Sequence, residues 1–259
     1  MSAALALLVL AFFGYLTAGF GIFRGIYLES QKTFPRWRMT LWAAFALHTA
    51  ALVAYSWTTG QLPIFRLQET FAPLAWAVML LYLVVGERWG VEVTGAVAAP
   101  AASAMTLFSA FALWQEQGTT EAGPGLYLHI LSMVIGFASL FVASFCAVLY
   151  FVQAKLLKEK RLDGVYRALP PLGTLDKVTY RLIWAGFPAL LVGILSGIFN
   201  TGGHWVWRVQ EVVVVATAIV YAFYLHARVA GWQGKRLNAM LMIASAFAAV
   251  SFLLPSGHQ

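Results

Sequence analysis

The sequence predicts an all-α membrane protein, a polytopic bundle of eight transmembrane helices with both termini on the extracytoplasmic side. Of its 259 residues, 61% are hydrophobic and 10% are charged, whereas soluble domains are about a quarter charged. A membrane helix needs about 20 apolar residues, and the charges leave eight uncharged windows. We expect a single integral membrane domain over residues 1–259, with its helices in the windows 1–23, 39–65, 70–86, 93–115, 122–154, 182–207, 212–227 and 237–259.

Two of these windows are short, and one connection is long. The windows 70–86 and 212–227 must take residues from their flanks or let charged ends reach the interface. The polar stretch from Lys155 to Arg181 contains two adjacent prolines and predicts a solvated connector. In the sixth window, Gly193 and Gly197 form a GxxxG motif, which permits close helix approach. We read this motif as packing, with no chemical role.

The basic residues set the orientation, because cytoplasmic loops of membrane proteins carry an excess of Lys and Arg. Fifteen of the 17 basic residues follow the first, third, fifth or seventh window, and only Arg66 and Arg208 lie in the alternate loops. This pattern places both termini outside the cytoplasm and predicts a multi-pass protein of a bacterial cytoplasmic membrane, in contact with lipid. The net charge of +7 therefore reports topology. It does not indicate nucleic-acid binding, since the cations sit beside helix ends.

Two of the five histidines lie inside apolar windows. His48 follows Trp42 by six residues, and His226 precedes Trp232 by six residues. Both tryptophans fall at predicted cytoplasmic ends, so at 1.5 Å per residue both histidines lie roughly 9 Å from that interface. They could ligate one metal centre from opposite faces, or each could bond separately to a neighbouring helix. We favour the ligand interpretation because the depths match and intramembrane histidines are commonly functional.

The other three histidines fall at predicted outer ends. His129 begins the fifth span, His204 lies in the loop after the sixth span, and His258 is the penultimate residue. Each of them alone would be an ordinary solvated side chain, and a penultimate residue is commonly frayed. Whether His204 is a ligand or a bystander stays open at this point. A neutral imidazole is a common axial ligand of haem iron, so the outer group is a second candidate site.

The loop 200–211 has a composition that suits a porphyrin. Trp205 and Trp207 offer large apolar surfaces, and adjacent glycines allow close backbone approach. Arg208 and Arg66 are the only outer cations, and we expect both to anchor the anionic propionates. The alternative is an interfacial tryptophan belt with arginines reaching the headgroups.

Other metal chemistry finds less support in the residue pattern. The chain has no H-E-x-x-H motif and only one cysteine, Cys146, so a zinc site is disfavoured. We interpret Cys146 as a residue of the packed core. A proton relay would place carboxylates deep in the spans, but Glu87, Glu92 and Glu211 lie near predicted ends.

Several ordered blocks resemble the cytochrome c assembly membrane proteins of the CcsA and HemX type. The blocks are Leu128–Met133, Asp176–Arg181, Gly193–Gly197, the tryptophan loop, Tyr224–Arg228 and Gly231–Arg236. The clear resemblance covers about residues 125–259, and residues 1–124 match more weakly. Because the chain is compact and has no large periplasmic domain, it looks closer to the small HemX-like branch.

The resemblance implies haem b at one or two sites. By position, His129 and His258 match the external ligand pair, His226 matches a membrane ligand, and His48 is its expected partner. In the family's tryptophan-rich loop, Gly202, Trp205, Trp207 and Glu211 match. Thr201, Arg208 and Val209 stand where the family has Trp, Asp and Pro.

These features predict a haem-binding membrane protein that holds, carries or delivers haem in cytochrome c assembly or the haem pathway. We expect no catalytic residues under this interpretation. The alternatives are a haem lyase that attaches haem to apocytochrome CxxCH thiols, a non-catalytic regulator of haem biosynthesis, and a bis-histidine electron carrier. The departures in the loop favour holding haem over attaching it. The expected partners are haem, apocytochrome c and other cytochrome c assembly proteins.

Overall fold

The computed structural model describes residues 3–28, 34–64, 67–113, 123–162, 164–202 and 209–251. These residues form helices and turns, and no strand occurs among them. One turn of 3₁₀ helix, Glu92–Thr94, leads into the fourth helix. The helices are α1 (Ala3–Tyr27), α2 (Phe34–Thr59), α3 (Leu67–Trp89), α4 (Gly95–Leu113), α5 (Pro124–Lys158), α6 (Val165–Ala168), α7 (Leu172–Asn200), α8 (Val209–Val229) and α9 (Lys235–Ser251).

Seven of these helices are long and apolar enough to cross a membrane, which confirms a multi-pass helical protein. They are α1 to α5, α7 and α8. The two short windows do take residues from their flanks, since α3 and α8 extend to Trp89 and Val229. The last window coincides with α9, of which 17 residues are described. An eighth span and extracytoplasmic termini stay predictions.

The prediction of a solvated connector from Lys155 to Arg181 is wrong at both ends. Helix α5 continues to Lys158, the short α6 interrupts the connection, and α7 already begins at Leu172. The charged residues therefore lie on helix ends, where long side chains can extend to the interface. Pro171 lies just before α7, where the missing amide hydrogen of proline costs nothing. Its carbonyl accepts a hydrogen bond from the Thr174 amide.

The described chain forms two compact units. Unit 1 comprises Met1–Thr120 and Val152–Thr174, and unit 2 comprises Glu121–Phe151 and Leu175–Gln259. The prediction of a single domain over 1–259 stays a prediction. In unit 1, α1 packs against α2 and α4, and α3 packs against α4. All four helices contribute to one apolar cluster, which contains Leu5, Leu8, Ala51, Ala72 and Ala110.

A proline inside α3 shows how unit 1 supplies hydrogen-bond partners to its backbone carbonyl groups. Pro73 has no amide hydrogen, so the carbonyl four residues earlier, that of Glu69, loses its helical partner. The Ser109 hydroxyl on α4 donates to this carbonyl at 3.5 Å. A buried carbonyl needs such a partner because no water is available within a membrane. The Trp76 indole on the next turn donates to the Thr49 hydroxyl at 2.9 Å and joins α3 to α2.

In unit 2, α5 and α7 pack antiparallel through small residues. A Cβ atom built on Gly136 would contact Leu190, and one built on Gly193 would contact Met133. A Cβ on Gly186 would overlap Ser139. The GxxxG motif therefore does mediate close packing, as the sequence predicts, and its partner is α5. The hydroxyls of Ser144 and Ser245 form a hydrogen bond that joins α5 to α9.

In unit 2, a buried ion pair joins the first turns of α7 to the last turn of α8. Arg228 Nη1 lies 2.6 Å from Asp176 Oδ2, and the two side chains are only 14% and 8% exposed. The Asn238 amide on α9 donates to Asp176 Oδ1 at 3.5 Å, and the Arg228 guanidinium lies over the Tyr180 ring. Asp176 lies near the N-terminus of α7 and Arg228 near the C-terminus of α8, so both helix dipoles favour the charges.

We expect Asp176→Asn to destabilise the protein by about 3–5 kcal/mol, because it leaves the Arg228 charge buried without its counterion. The matched control is Glu87→Gln, which breaks an exposed pair with Arg38 and should cost less than about 1 kcal/mol. Unfolding in mixed micelles, followed by circular dichroism, measures both values. Equal losses for the two variants would contradict the structural role of the buried pair.

Candidate functional site

His48 lies at the centre of unit 1 and is fully buried. Its Nδ1 atom lies 3.3 Å from the hydroxyl oxygen of Tyr15 on α1, which is also fully buried. The two rings meet edge to face, with centroids 5.9 Å apart. The antiparallel packing of α1 and α2 brings these side chains together, since a polar atom within an apolar bundle needs a partner from a neighbouring helix.

The second ring nitrogen of His48 has no such partner. The Ala72 backbone on α3 lies within hydrogen-bonding reach of the imidazole, although no contact of Nε2 with a described residue has the distance and angle of a regular hydrogen bond. An unsatisfied buried polar atom costs about 1–3 kcal/mol. The engaged Nδ1 and the unpartnered Nε2 are the arrangement that a metal-ligating histidine uses.

His129 shows the same division between its two ring nitrogens. In unit 2, on the first turns of α5, its Nδ1 lies 2.7 Å from the backbone carbonyl oxygen of Gly193 on α7. A carbonyl oxygen can only accept, so Nδ1 carries the hydrogen and donates it. In the neutral ring, Nε2 then holds a lone pair. No described residue hydrogen-bonds to that nitrogen.

The GxxxG motif explains why the imidazole fits against α7. A Cβ atom on Gly197 would lie 2.9 Å from the His129 ring, closer than carbon atoms pack. Gly197 therefore provides the space that the His129 ring occupies. It lies one turn after Gly193, whose carbonyl the ring contacts. The sequence interpretation of Gly193 and Gly197 as packing alone misses this second role. The motif and His129 are separated by more than 60 residues, and only the helix register joins them.

His226 differs from the other two described histidines. It lies on α8, in unit 2, and its side chain is exposed, although positions 224 and 227 of the same helix are buried. Its backbone carbonyl accepts a hydrogen bond from the Ala230 amide, as in a regular helix. His48 belongs to unit 1. Ligation of one metal by His48 and His226 therefore stays a prediction, and the exposed ring leaves His226 available for it.

Most of the expected outer site lies outside the described residues. This is true of two histidines, of the two loop tryptophans and of both expected propionate anchors: His204, His258, Trp205, Trp207, Arg208 and Arg66. Glu211, in the first turn of α8, is described. Its Oε2 atom is buried and accepts no hydrogen bond within the described part of the chain.

The described geometry suits coordination of a metal that takes imidazole ligands from different helices. His48 and His129 each hold Nδ1 against a neighbouring helix, which orients the ring. Haem iron accepts one or two histidine ligands, while its apolar macrocycle is compatible with an apolar bundle. The sequence alone identified both histidines. It did not identify Tyr15 or the Gly193 carbonyl, which orient them.

The sequence is similar to those of known cytochrome c assembly proteins. Residues 64–254 match the family model described as cytochrome C assembly protein. The chain is 31% identical to a cytochrome c biogenesis protein CcsA of Synechococcus sp. strain CC9311, over 81% of each chain. A CcsA protein of strain CC9605 is 29% identical, over 87% of this chain and 85% of the relative.

A third relative comes from a eukaryotic alga. The cytochrome c biogenesis protein CcsA of Chlamydomonas reinhardtii is 31% identical, over 76% of this chain and 56% of the relative. The family model covers well over half of the chain, and it includes both the GxxxG motif and His129. The histidine-bearing helical protein described here therefore belongs to the cytochrome c assembly protein family.

Proposed function

We propose that this protein binds haem b and holds, carries or delivers it during cytochrome c assembly. The observation that carries the proposal is the state of His129, whose Nδ1–H donates to an acceptor-only carbonyl and so leaves an Nε2 lone pair. The unpartnered Nε2 of buried His48 supports the same conclusion. The relatives named as cytochrome c biogenesis proteins connect this chemistry with cytochrome c.

The proposal includes one or two haem sites, one for each expected ligand pair. His48 and His226 would ligate haem within the membrane, and His129 and His258 would ligate haem at the outer face. Bound haem b would supply an iron that imidazoles can ligate, and vinyl groups suited to attachment to cysteine thiols. The chain's part is to orient the imidazoles and to hold the ring away from water.

At the outer face, the tryptophan loop would cover the haem. Trp205 and Trp207 would lie against the ring, while Arg208 and Arg66 would bind the propionates through charge-assisted hydrogen bonds. His204 would lie beside the ring as a further contact. Glu211 fits this arrangement because its buried carboxylate oxygen accepts no hydrogen bond from a described residue and could accept one from this loop.

The proposed location is a bacterial cytoplasmic membrane, with eight spans and both termini outside. The charge distribution supports it, since 15 of 17 basic residues follow alternate windows. Exposed Trp42 and Trp232 agree with a membrane interface at these helix ends, because tryptophans concentrate at both interfaces. In this orientation His129 lies at the face on which apocytochrome c would arrive.

A haem lyase is the second candidate function. The matched positions Gly202, Trp205, Trp207 and Glu211 favour it, and so does the name CcsA of the three relatives above. Against it, Thr201, Arg208 and Val209 depart from the loop of the family. The closer likeness to the HemX branch remains a prediction, as does partnership with other assembly proteins.

Haem binding is tested by the visible spectrum of the protein purified in detergent and supplied with haem. We expect a Soret band with low-spin character, and about half of the haem per protein should be lost in either His129→Ala or His48→Ala. Size-exclusion chromatography checks that each variant is folded. If no band appears with haem supplied, the proposed function is wrong. If one variant alone abolishes the whole band, the two-site arrangement is wrong.

Gly197→Ala should weaken haem binding at the outer site without removing any ligand. The added methyl group would meet the His129 ring at 2.9 Å and displace the imidazole from the Gly193 carbonyl. We expect about a 10–100-fold weaker affinity at that site, as for other losses of a ligand's supporting bond. The control is Gly173→Ala on the same helix, where a Cβ meets nothing within 4 Å. Equal haem affinity in the two variants would contradict the role of this contact.

Co-expression with an apocytochrome c separates the carrier from the lyase. A carrier alone should leave the apocytochrome without covalent haem, because haem attachment requires a separate catalyst. Mass spectrometry of the cytochrome measures covalent haem, with a strain that lacks this chain as the control. Covalent haem that depends on this chain alone would establish the lyase.

A further inference from the structure

We propose that the C-terminal end of helix α5 binds the anionic headgroups of membrane phospholipids. The surface is the basic turn, defined as residues 155–162, which contains Lys155, Lys158, Lys160 and Arg161. Helix α5 is long and apolar enough to span a membrane, and the basic turn comprises its last residues and those that follow it. The whole basic turn lies in unit 1. This binding role goes beyond the haem-binding function proposed above and does not depend on it.

The backbone of the basic turn ends α5 with a lysine in an unusual conformation. The Lys160 amide donates to the Leu157 carbonyl at 3.1 Å, and the Arg161 amide donates to the Leu156 carbonyl at 3.0 Å. These two bonds form a helix cap in which the residue after the helix is left-handed, and glycine is the usual residue there. Lys160 takes this position with a φ of 56°, which is strained for a residue with a side chain. A cation therefore stands where chain reversal alone would favour glycine.

The cations of the basic turn are exposed and only partly neutralised. Glu159 Oε1 lies 4.0 Å from Lys155 Nζ, and Glu159 Oε2 lies 3.6 Å from Arg161 Nη1. The Lys155 and Arg161 side chains are 76% and 72% exposed, so both pairs are weak. Lys158 and Lys160 are exposed as well and form no ion pair with a described residue. Four cations around one carboxylate leave positive charge that can contact phosphate.

The apolar side chains of the basic turn favour a lipid over an acidic protein as its partner. Leu157 and Leu162 are 45% and 48% exposed beside the cations, and exposed leucines interleaved with lysines are typical of segments that lie in a membrane interface. Clusters of about four to eight basic residues directly beside a membrane helix attract anionic lipids. Asp163 follows the basic turn, outside the described residues, and does not reverse the excess of positive charge.

The test measures which lipid lies next to the basic turn. Leu162→Cys in the full chain carries a fluorophore, while the native Cys146 is buried and escapes the label. Vesicles contain equal amounts of phosphatidylglycerol and phosphatidylcholine, and either one or the other is spin-labelled to quench the fluorophore. We expect anionic phosphatidylglycerol to occupy the site at least about 5-fold more often than phosphatidylcholine at low salt. About 1 M NaCl should reduce this preference by screening.

The decisive variant combines Lys158→Gln with Lys160→Gly. It removes two cations but preserves the cap, since glycine suits the left-handed position. The preference for phosphatidylglycerol should fall below about 2-fold. The matched control combines Arg36→Gln with Arg88→Gln, which removes two exposed cations from the first turn of α2 and the last turn of α3. This control should keep the preference of the parent.

Glu159→Gln should change the preference in the opposite direction. It removes the carboxylate that lies between Lys155 and Arg161, so the preference for phosphatidylglycerol should rise above that of the parent. A substitution that merely damaged the basic turn would lower the preference. This variant therefore keeps the test decisive if the double variant does not fold.

A preference that falls in the double variant, persists in the control and rises in Glu159→Gln supports the proposal. Equal quenching by the two lipids in the parent would overturn it, and so would a preference that survives the loss of Lys158 and Lys160. If neither lipid quenches the label, the basic turn does not contact the membrane, and an acidic protein becomes the better partner. The haem spectrum should be the same in all these variants, so either proposal can fail without the other.

Discussion

A polar group inside an apolar helix bundle must find its hydrogen-bond partner within the protein, and this requirement determines the arrangement of the structure. It explains why Ser109 bonds to the carbonyl that Pro73 leaves open, and why Asp176 faces Arg228. It also explains the two imidazoles. Each uses one nitrogen to satisfy a contact with a neighbouring helix, and the nitrogen that remains is the one capable of holding a metal.

Close helix packing is what makes these contacts possible. A hydrogen bond of 2.7 Å from the His129 ring to a backbone carbonyl requires the α5 side chain to reach the surface of α7. Gly197 provides the space, because any larger residue there would overlap the ring. The same contact between α5 and α7 therefore both packs the two helices and orients the His129 ring. The same holds for α1 and α2, whose contact pairs Tyr15 with His48.

Much of the fold could be predicted from the spacing of charges, because the hydrocarbon thickness fixes the length of a span. The ends of the helices are less predictable from the sequence. Charged side chains can extend toward water from within a helix, so α7 begins at Leu172 although Arg181 precedes the uncharged window. The sequence does not predict the buried Asp176–Arg228 pair for the same reason, since both residues fall outside the uncharged windows.

The candidate ligands were predictable as residues, and their supporting groups were not. An imidazole within or beside an apolar span is conspicuous in a sequence. The groups that orient it, Tyr15 for His48 and the Gly193 carbonyl for His129, lie on other helices. A tyrosine in a helix and a backbone carbonyl are ordinary features until the register between two helices is known.

The proposed function requires that histidine nitrogens of this chain ligate haem iron. Electron paramagnetic resonance of the ferric, haem-loaded protein tests it, because two imidazole ligands make ferric haem low-spin, whereas loss of one of them leaves it high-spin. We expect low-spin bis-histidine haem in the wild type and a high-spin component when His129 or His48 is replaced by alanine. A wild-type signal that is wholly high-spin, or one that neither substitution alters, would contradict it.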